Sequence, residues 1–128
     1  MTQEEKQILL KDLCSRLPYG VRVKISDEDI LLYDSEKGTL DGKETMSDDN
    51  FVIKCDRDSW IISCDDFKPY LRPMSSMTEE EKKESGELYK KNTGMWDDLD
   101  WLNAHYFDYR GLIDKGLAIA VTEENNPY

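Results

Sequence analysis

Residues 51–64 read FVIKCDRDSWIISC, two runs with apolar side chains at every second position around the polar quartet Asp56-Arg57-Asp58-Ser59. Period-two alternation puts one face of an extended strand in a core and the other in water, and the quartet favours a turn, so the stretch reads as a β-hairpin. A four-residue connection sets Cys55 opposite Trp60, Ile53 opposite Ile62 and Phe51 opposite Cys64, which gathers six bulky or apolar side chains on one face. In that register the two cysteines sit at opposite ends of the ladder, too far apart to bridge.

Upstream, Val21, Val23 and Ile25 alternate with Arg22 and Lys24 as a further strand, and Ile30 to Tyr33 reads as another. The polar stretch Asp34 to Asn50, with Gly38 and Gly42, holds too little apolar content for core and reads as a mobile loop or ragged hairpin. Before these strands, Thr2 and Glu5 have the form of a capping box. Ile8, Leu9, Leu13 and Leu17 then share a helical face, which predicts a helix over 3–16 stopped by Leu17-Pro18-Tyr19-Gly20.

Downstream, Pro69 and Pro73 fix φ and remove donors, so residues 68–73 read as an extended crossover on the surface with Tyr70 and Leu71 tucked in. Thr78 and Glu81 repeat the capping box before a polar helix over 79–91 anchored by Leu88 and Tyr89. A further helix capped by Asp97 or Asp98 is expected to align Leu99, Leu102 and Tyr106. Asp108 then opens a turn ending at Lys115-Gly116, and Leu117, Ile119 and Val121 form a last strand. The pattern gives an α+β domain spanning 1–128: an N-terminal helix, a small antiparallel sheet of four or five strands, and C-terminal helices packed on one face.

The 128 residues include 17 Lys+Arg and 28 Asp+Glu, a net charge of −11 that opposes the counterion release driving most nucleic-acid binding. Direct nucleic-acid binding is therefore not expected, and the polar N-terminus and short apolar runs give no signal peptide or membrane span. Three cysteines without C-x-x-C spacing suit free thiols in a reducing cytoplasm.

Residues 67–81 (FKPYLRPMSSMTEEE) and 100–116 (DWLNAHYFDYRGLIDKG), supported by 12–24 (DLCSRLPYGVRVK), resemble small uncharacterised proteins of Bacteroidales bacteria and of the phages and mobile elements they carry. The resemblance implies a bacterial or phage cytoplasm and an accessory role, and it carries over no catalytic residue, ligand or cofactor.

The chemistry in the residues is sparse. His105 is the only histidine, with Asp100 and Asp108 near in sequence as orienting groups, but no cysteine sits in a context that activates a thiolate. Zinc lacks a ligand pair, the Asp clusters lack the glycine and terminal Glu of a calcium loop, and no phosphate-binding glycine motif occurs, so no cofactor or metal is expected. Trp96, Trp101, His105, Tyr109 and Arg110 are the residue types of binding hot spots and form the candidate partner-binding set, although packing is the commoner use of such aromatics. The expected function is a non-enzymatic interaction or regulatory protein that binds another bacterial or phage protein. The alternatives are an acidic nucleic-acid mimic, which requires carboxylates in rows on one face, and a small metal-dependent hydrolase, which requires three acids or His105 converging in a pocket.

Overall fold

The structure is a computed structural model that describes residues 1–30, 36–45, 48–90 and 95–128, with the side chains of 87–90 and 95–98 left undescribed. Its helices are α1 (Gln3–Arg16), α2 (Glu79–Lys90) and α3 (Met95–Ala104). Its strands are β1 (Arg22–Ile25), β2 (Lys37–Lys43), β3 (Asn50–Lys54), β4 (Ser59–Ser63), β5 (Phe67–Pro73), β6 (Phe107–Asp108) and β7 (Ile119–Ala120). The sheet runs β4-β3-β2-β1-β5-β6, with β7 also on β5. The α+β class holds, but the sheet has about seven strands and is mixed, because β6 and β7 lie parallel to β5.

Both capping boxes form. Thr2 Oγ1 accepts from Glu5 N at 3.1 Å while Glu5 Oε1 accepts from Thr2 N at 2.9 Å, and Thr78 and Glu81 exchange the same bonds at 3.1 and 3.0 Å. Each pair satisfies amide donors that a helix N-terminus otherwise leaves unbonded. Helix α1 buries Leu9 and Leu13 against Val23, Ile25, Leu40, Phe51, Ile53, Ile62 and Leu71, the inward side chains of β1 to β5. Helices α2 and α3 pack on each other at the β6 side, where Arg72 of β5 holds Glu81 of α2 through two bonds of 2.8 and 2.7 Å. Asp97 and Asp98 lie inside the described span of α3 instead of capping it. Leu88 and Tyr89, the expected anchors of α2, fall among the undescribed side chains.

The hairpin of β3 and β4 is tighter than its sequence suggested. Cys55 N donates to Asp58 O at 2.9 Å, leaving a two-residue turn at Asp56-Arg57, so Ile53 faces Trp60 and Phe51 faces Ile62. The slip from the expected register is two residues. An even slip keeps every side chain on its face, which is why Phe51, Ile53, Cys55, Trp60, Ile62 and Cys64 still all reach the core.

The polar stretch read as a mobile loop or ragged hairpin contains β2, which lies at the centre of the sheet and pairs antiparallel with β3 through a bulge between Leu40 and Gly42. Only Leu40 supplies an inward apolar side chain there: Gly38 has no room, since a Cβ would meet Ile53 Cγ2 at 2.5 Å and Lys54 O at 3.1 Å, and past the bulge the position opposite Phe51 is Lys43. The expected strand over Ile30 to Tyr33 lies outside the described residues except for Ile30, which is helical.

The Pro-containing passage is likewise not a surface crossover but the interior strand β5, between β1 and the short β6 and β7. Ser26 N donates to Asp66 O at 2.8 Å, and antiparallel alternation then makes Lys24–Lys68 the next bonded pair and Val23–Pro69 a non-bonded one. The missing N–H of Pro69 therefore costs no rung on the β1 side. The following bonded pair would be Arg22–Tyr70, and the Tyr128 hydroxyl stands in for it by accepting from Arg22 N at 2.9 Å and donating to Tyr70 O at 2.8 Å. Although Tyr128 is 44% exposed, that hydroxyl is enclosed, and burial pushes its pKa well above the usual tyrosine range. The Tyr128 ring stacks on Tyr106 at 3.9 Å, one of the contacts that hold Tyr106 at φ +64°, a left-handed position where helix ends usually place glycine.

The last strand is shorter than expected. Leu117 and Ala118 are buried, while only Ile119 and Ala120 pair with β5, at Tyr70 and Leu71.

Candidate binding face

The aromatic segment is mostly committed to holding the fold together. Trp101 is buried, stacked on His105 at 4.1 Å and on Phe107 at 5.8 Å between ring centroids. His105 Nδ1 lies 2.8 Å from the Trp101 carbonyl oxygen, and the Asp108 carboxylate accepts from Leu112 N and Ile113 N, both at 2.9 Å, instead of orienting the imidazole. Tyr109 donates to Asn103 Oδ1 at 2.8 Å and accepts from Arg110 Nη1 at 2.9 Å. Of the expected partner-binding set, Trp101, His105, Tyr109 and Arg110 thus share one region beside α3, and the Trp96 side chain lies outside the described residues.

Arg110 continues into a buried ionic knot. Asp12, fully enclosed, accepts from Arg16 Nε at 2.7 Å, Arg16 Nη2 at 3.2 Å and Arg110 Nη1 at 2.9 Å, and Arg16 Nη2 also donates to Phe107 O at 2.6 Å. The Arg16 guanidinium lies 5.2 Å from the Tyr109 ring centroid. These contacts pin α1 to the chain after α3. Asp12 and Arg16 share a helix face with Leu9 and Leu13, at spacings of three, four and seven residues, so an ion pair inside an apolar stripe was the sequence signal for the knot.

A different surface is unexplained by folding. The inward positions of β1, β3 and β5 are apolar, those of β2 are Gly38, Leu40 and, past its bulge, Lys43 opposite Phe51, and the outward positions include Arg22, Lys24, Lys37, Thr39, Lys54, Lys68 and Tyr70. Register sets them in rows. Lys68, Lys24 and Lys37 stand side by side across β5, β1 and β2, and the adjoining row is Arg22, Thr39 and Lys54 across β1, β2 and β3. Directly opposed Cβ atoms are about 5 Å apart, and like charges so placed are destabilising.

Local partners counter the repulsion. Lys24 pairs with the exposed Asp27 at 3.1 Å, and that bond raises the Lys24 pKa. The Lys37 ammonium lies 5.6 Å from the Tyr70 ring centroid, within range of a cation–π attraction. Arg22 Nη1 donates to Thr39 Oγ1 at 2.7 Å, which orients the guanidinium across the second row. A groove of about 480 Å³ opens beside this row, lined by Arg22, Lys37, Thr39 and Lys54 with Asp41 and Asp56. A hollow of about 290 Å³ lies at the other end, between Lys24 and Lys68 and close to Asp27, Asp65 and Asp66. Burial, then Asp29 and Asp65, raise the Asp66 pKa.

Five cations on one face of a chain with net charge −11 amount to a segregation of charge. The signal was present in the sequence: β1, β3, β4 and β5 contain no Asp or Glu, and Asp41 at the β2 bulge is the acid in these five strands. The face offers electrostatic attraction to an acidic group. Among the described residues no group of three or more His, Cys, Asp or Glu side chains is placed to hold a metal ion, and no helix is long and apolar enough to cross a membrane. No protein-family model matches the chain, and comparison with curated proteins and with solved structures gives no significant match.

Proposed function

We propose that the chain is a non-enzymatic interaction protein whose contact surface is the basic face of β1, β2, β3 and β5, and whose partner is another bacterial or phage protein presenting an acidic segment. The observation that carries this reading is the Lys68–Lys24–Lys37 row. Two opposed like-charge pairs cost a sheet about 0.4–2 kcal/mol, a cost that an acidic partner converts into binding energy when it neutralises them. A chain of net charge −11 repels acidic molecules over much of its surface, and a local cluster of cations favours one docking orientation.

The row also bears on the alternatives. A nucleic-acid mimic needs carboxylates in rows, and the rows built by this sheet are lysine and arginine. A metal-dependent hydrolase needs converging acids, and His105 instead stacks on Trp101. Affinity purification from a bacterial host with the wild-type chain and with Lys24→Gln/Lys37→Gln/Lys68→Gln, read by mass spectrometry, tests the proposal. The expected result is a stoichiometric protein that elutes with salt and is lost from the triple variant. Equal capture by both chains, or nucleic acid in place of a protein, overturns it.

A further inference from the structure

Strand β4 ends the sheet on one side, with β3 as its neighbour. Cys55 N donates to Asp58 O and Cys64 N to Asp49 O, so alternation directs the backbone groups of Asp58, Trp60, Ile62 and Cys64 toward β3. Those of Ser59, Ile61 and Ser63 therefore face outward. The Ser63 carbonyl is taken by Asp66 N at 2.9 Å, whereas no described residue bonds the N–H or C=O of Ser59 or Ile61. Exposed strand edges are usually blunted by lysine, proline, a bulge or an inward charge, and SWIIS has none of these, with the Ile61 side chain 56% exposed.

We infer that β4 pairs antiparallel with β4 of a second copy of this chain, forming a two-fold dimer with one continuous sheet. The strand is its own complement about Ile61: Ser59 meets Ser63, Trp60 meets Ile62, and Ile61 meets Ile61. The parity is also right, because Ile61–Ile61 and Ser59–Ser63 fall on the residues whose backbone groups face outward. Beyond the strand ends the same two-fold brings the exposed Arg57 of each copy toward the exposed Asp65 of the other, which Lys6 of its own copy holds at 3.5 Å, and Asp56 toward Asp66. Two chains of net charge −11 repel over most of their surfaces, and this edge is uncharged along all five residues of the strand. A five-residue edge is at the small end of specific interfaces, which corresponds to a reversible dimer with a dissociation constant of about 1–100 µM.

Sedimentation equilibrium of the full chain across about 5–500 µM reads this directly, since the protomer mass is 15.0 kDa. The expected result is a concentration-dependent rise to twice that mass, with the dissociation constant raised at least about tenfold by Ile61→Lys, which opposes two ammonium groups at the centre. Arg57→Asp alone weakens the dimer, and Arg57→Asp/Asp65→Arg restores it. Circular dichroism of Ile61→Lys confirms folding at this exposed site. A protomer mass at every concentration, an equally tight dimer in Ile61→Lys, or no effect of the charge exchange overturns the inference.

Discussion

Replacing Asp12 with leucine is expected to cost far more than any single surface contact would suggest, because it strands a cation. Both Asp12 and Arg16 are fully enclosed, and the carboxylate accepts three bonds, two from Arg16 and one from Arg110. Arg110 is 19% exposed and can turn to water, whereas Arg16 would retain only the Phe107 carbonyl and the Tyr109 ring. Its Nη1 is already buried without a partner among the described residues, none of which stands ready as a second acceptor. Breaking a buried pair from one side costs about 3–5 kcal/mol, against a total stability of about 5–15 kcal/mol for a domain. With a urea slope of about 2 kcal/mol/M, the midpoint should fall by about 1.5–2.5 M, followed by tryptophan fluorescence from the buried Trp101. Asp12→Leu/Arg16→Met removes both charges and should recover at least half of the loss, as apolar replacement of whole buried pairs does elsewhere. A fall under about 0.5 M for Asp12→Leu, or a double variant weaker than the single one, would refute the reasoning.

Gly38→Ala should lower the melting temperature by about 5–10 °C, since the new methyl group collides with Ile53 and the Lys54 carbonyl and such overpacking costs about 1–3 kcal/mol; an unchanged calorimetric midpoint would contradict this. The Arg72 guanidinium, bonded through two nitrogens, holds the Glu81 carboxyl down to about 2. Because the folded pKa lies below the unfolded one, that stabilisation is complete above about pH 4.5 and is lost as pH falls toward 2. It is worth about 1–2 kcal/mol after solvent screening. Thermal melts of Glu81→Gln should show a shallower pH dependence than wild type across that window, and parallel curves would exclude the pair as the cause. Cys14 is exposed while Cys55 and Cys64 are buried, and burial pushes the Cys64 thiol up to about 11. A disulfide-exchange dye at pH 8 should therefore titrate a single thiol quickly and the others only in denaturant; two fast thiols would count against this packing.

Much of the fold could be read from local signals whose physics is itself local. The Thr2–Glu5 and Thr78–Glu81 boxes start helices where their spacing says they should, because both partners lie within one turn. The hairpin faces were legible and its register was not, since two- and four-residue turns differ by an even slip that leaves the pattern unchanged. Strand β2 was hidden because its inward glycine answers to Ile53, a residue fifteen positions away, and β5 because a proline is tolerated only where its missing donor faces away from β1. The basic face was missed for a similar reason. Summing charge over the chain gives −11, whereas Lys68, Lys24 and Lys37 become neighbours only once three strands are in register. The aromatic segment drew attention through its composition, and the bonds that occupy it, from Arg16 to the Phe107 carbonyl and from Arg110 to Asp12, join positions 91 and 98 residues apart.

Lysine acetylation footprinting of the free chain and of the captured complex puts the basic face to the most direct test. Lys24, Lys37, Lys54 and Lys68 should lose reactivity together on binding, while Lys82, Lys83 and Lys115 stay as they were. Protection confined to the helical lysines, with the sheet lysines as reactive as before, would place the partner elsewhere and contradict the account.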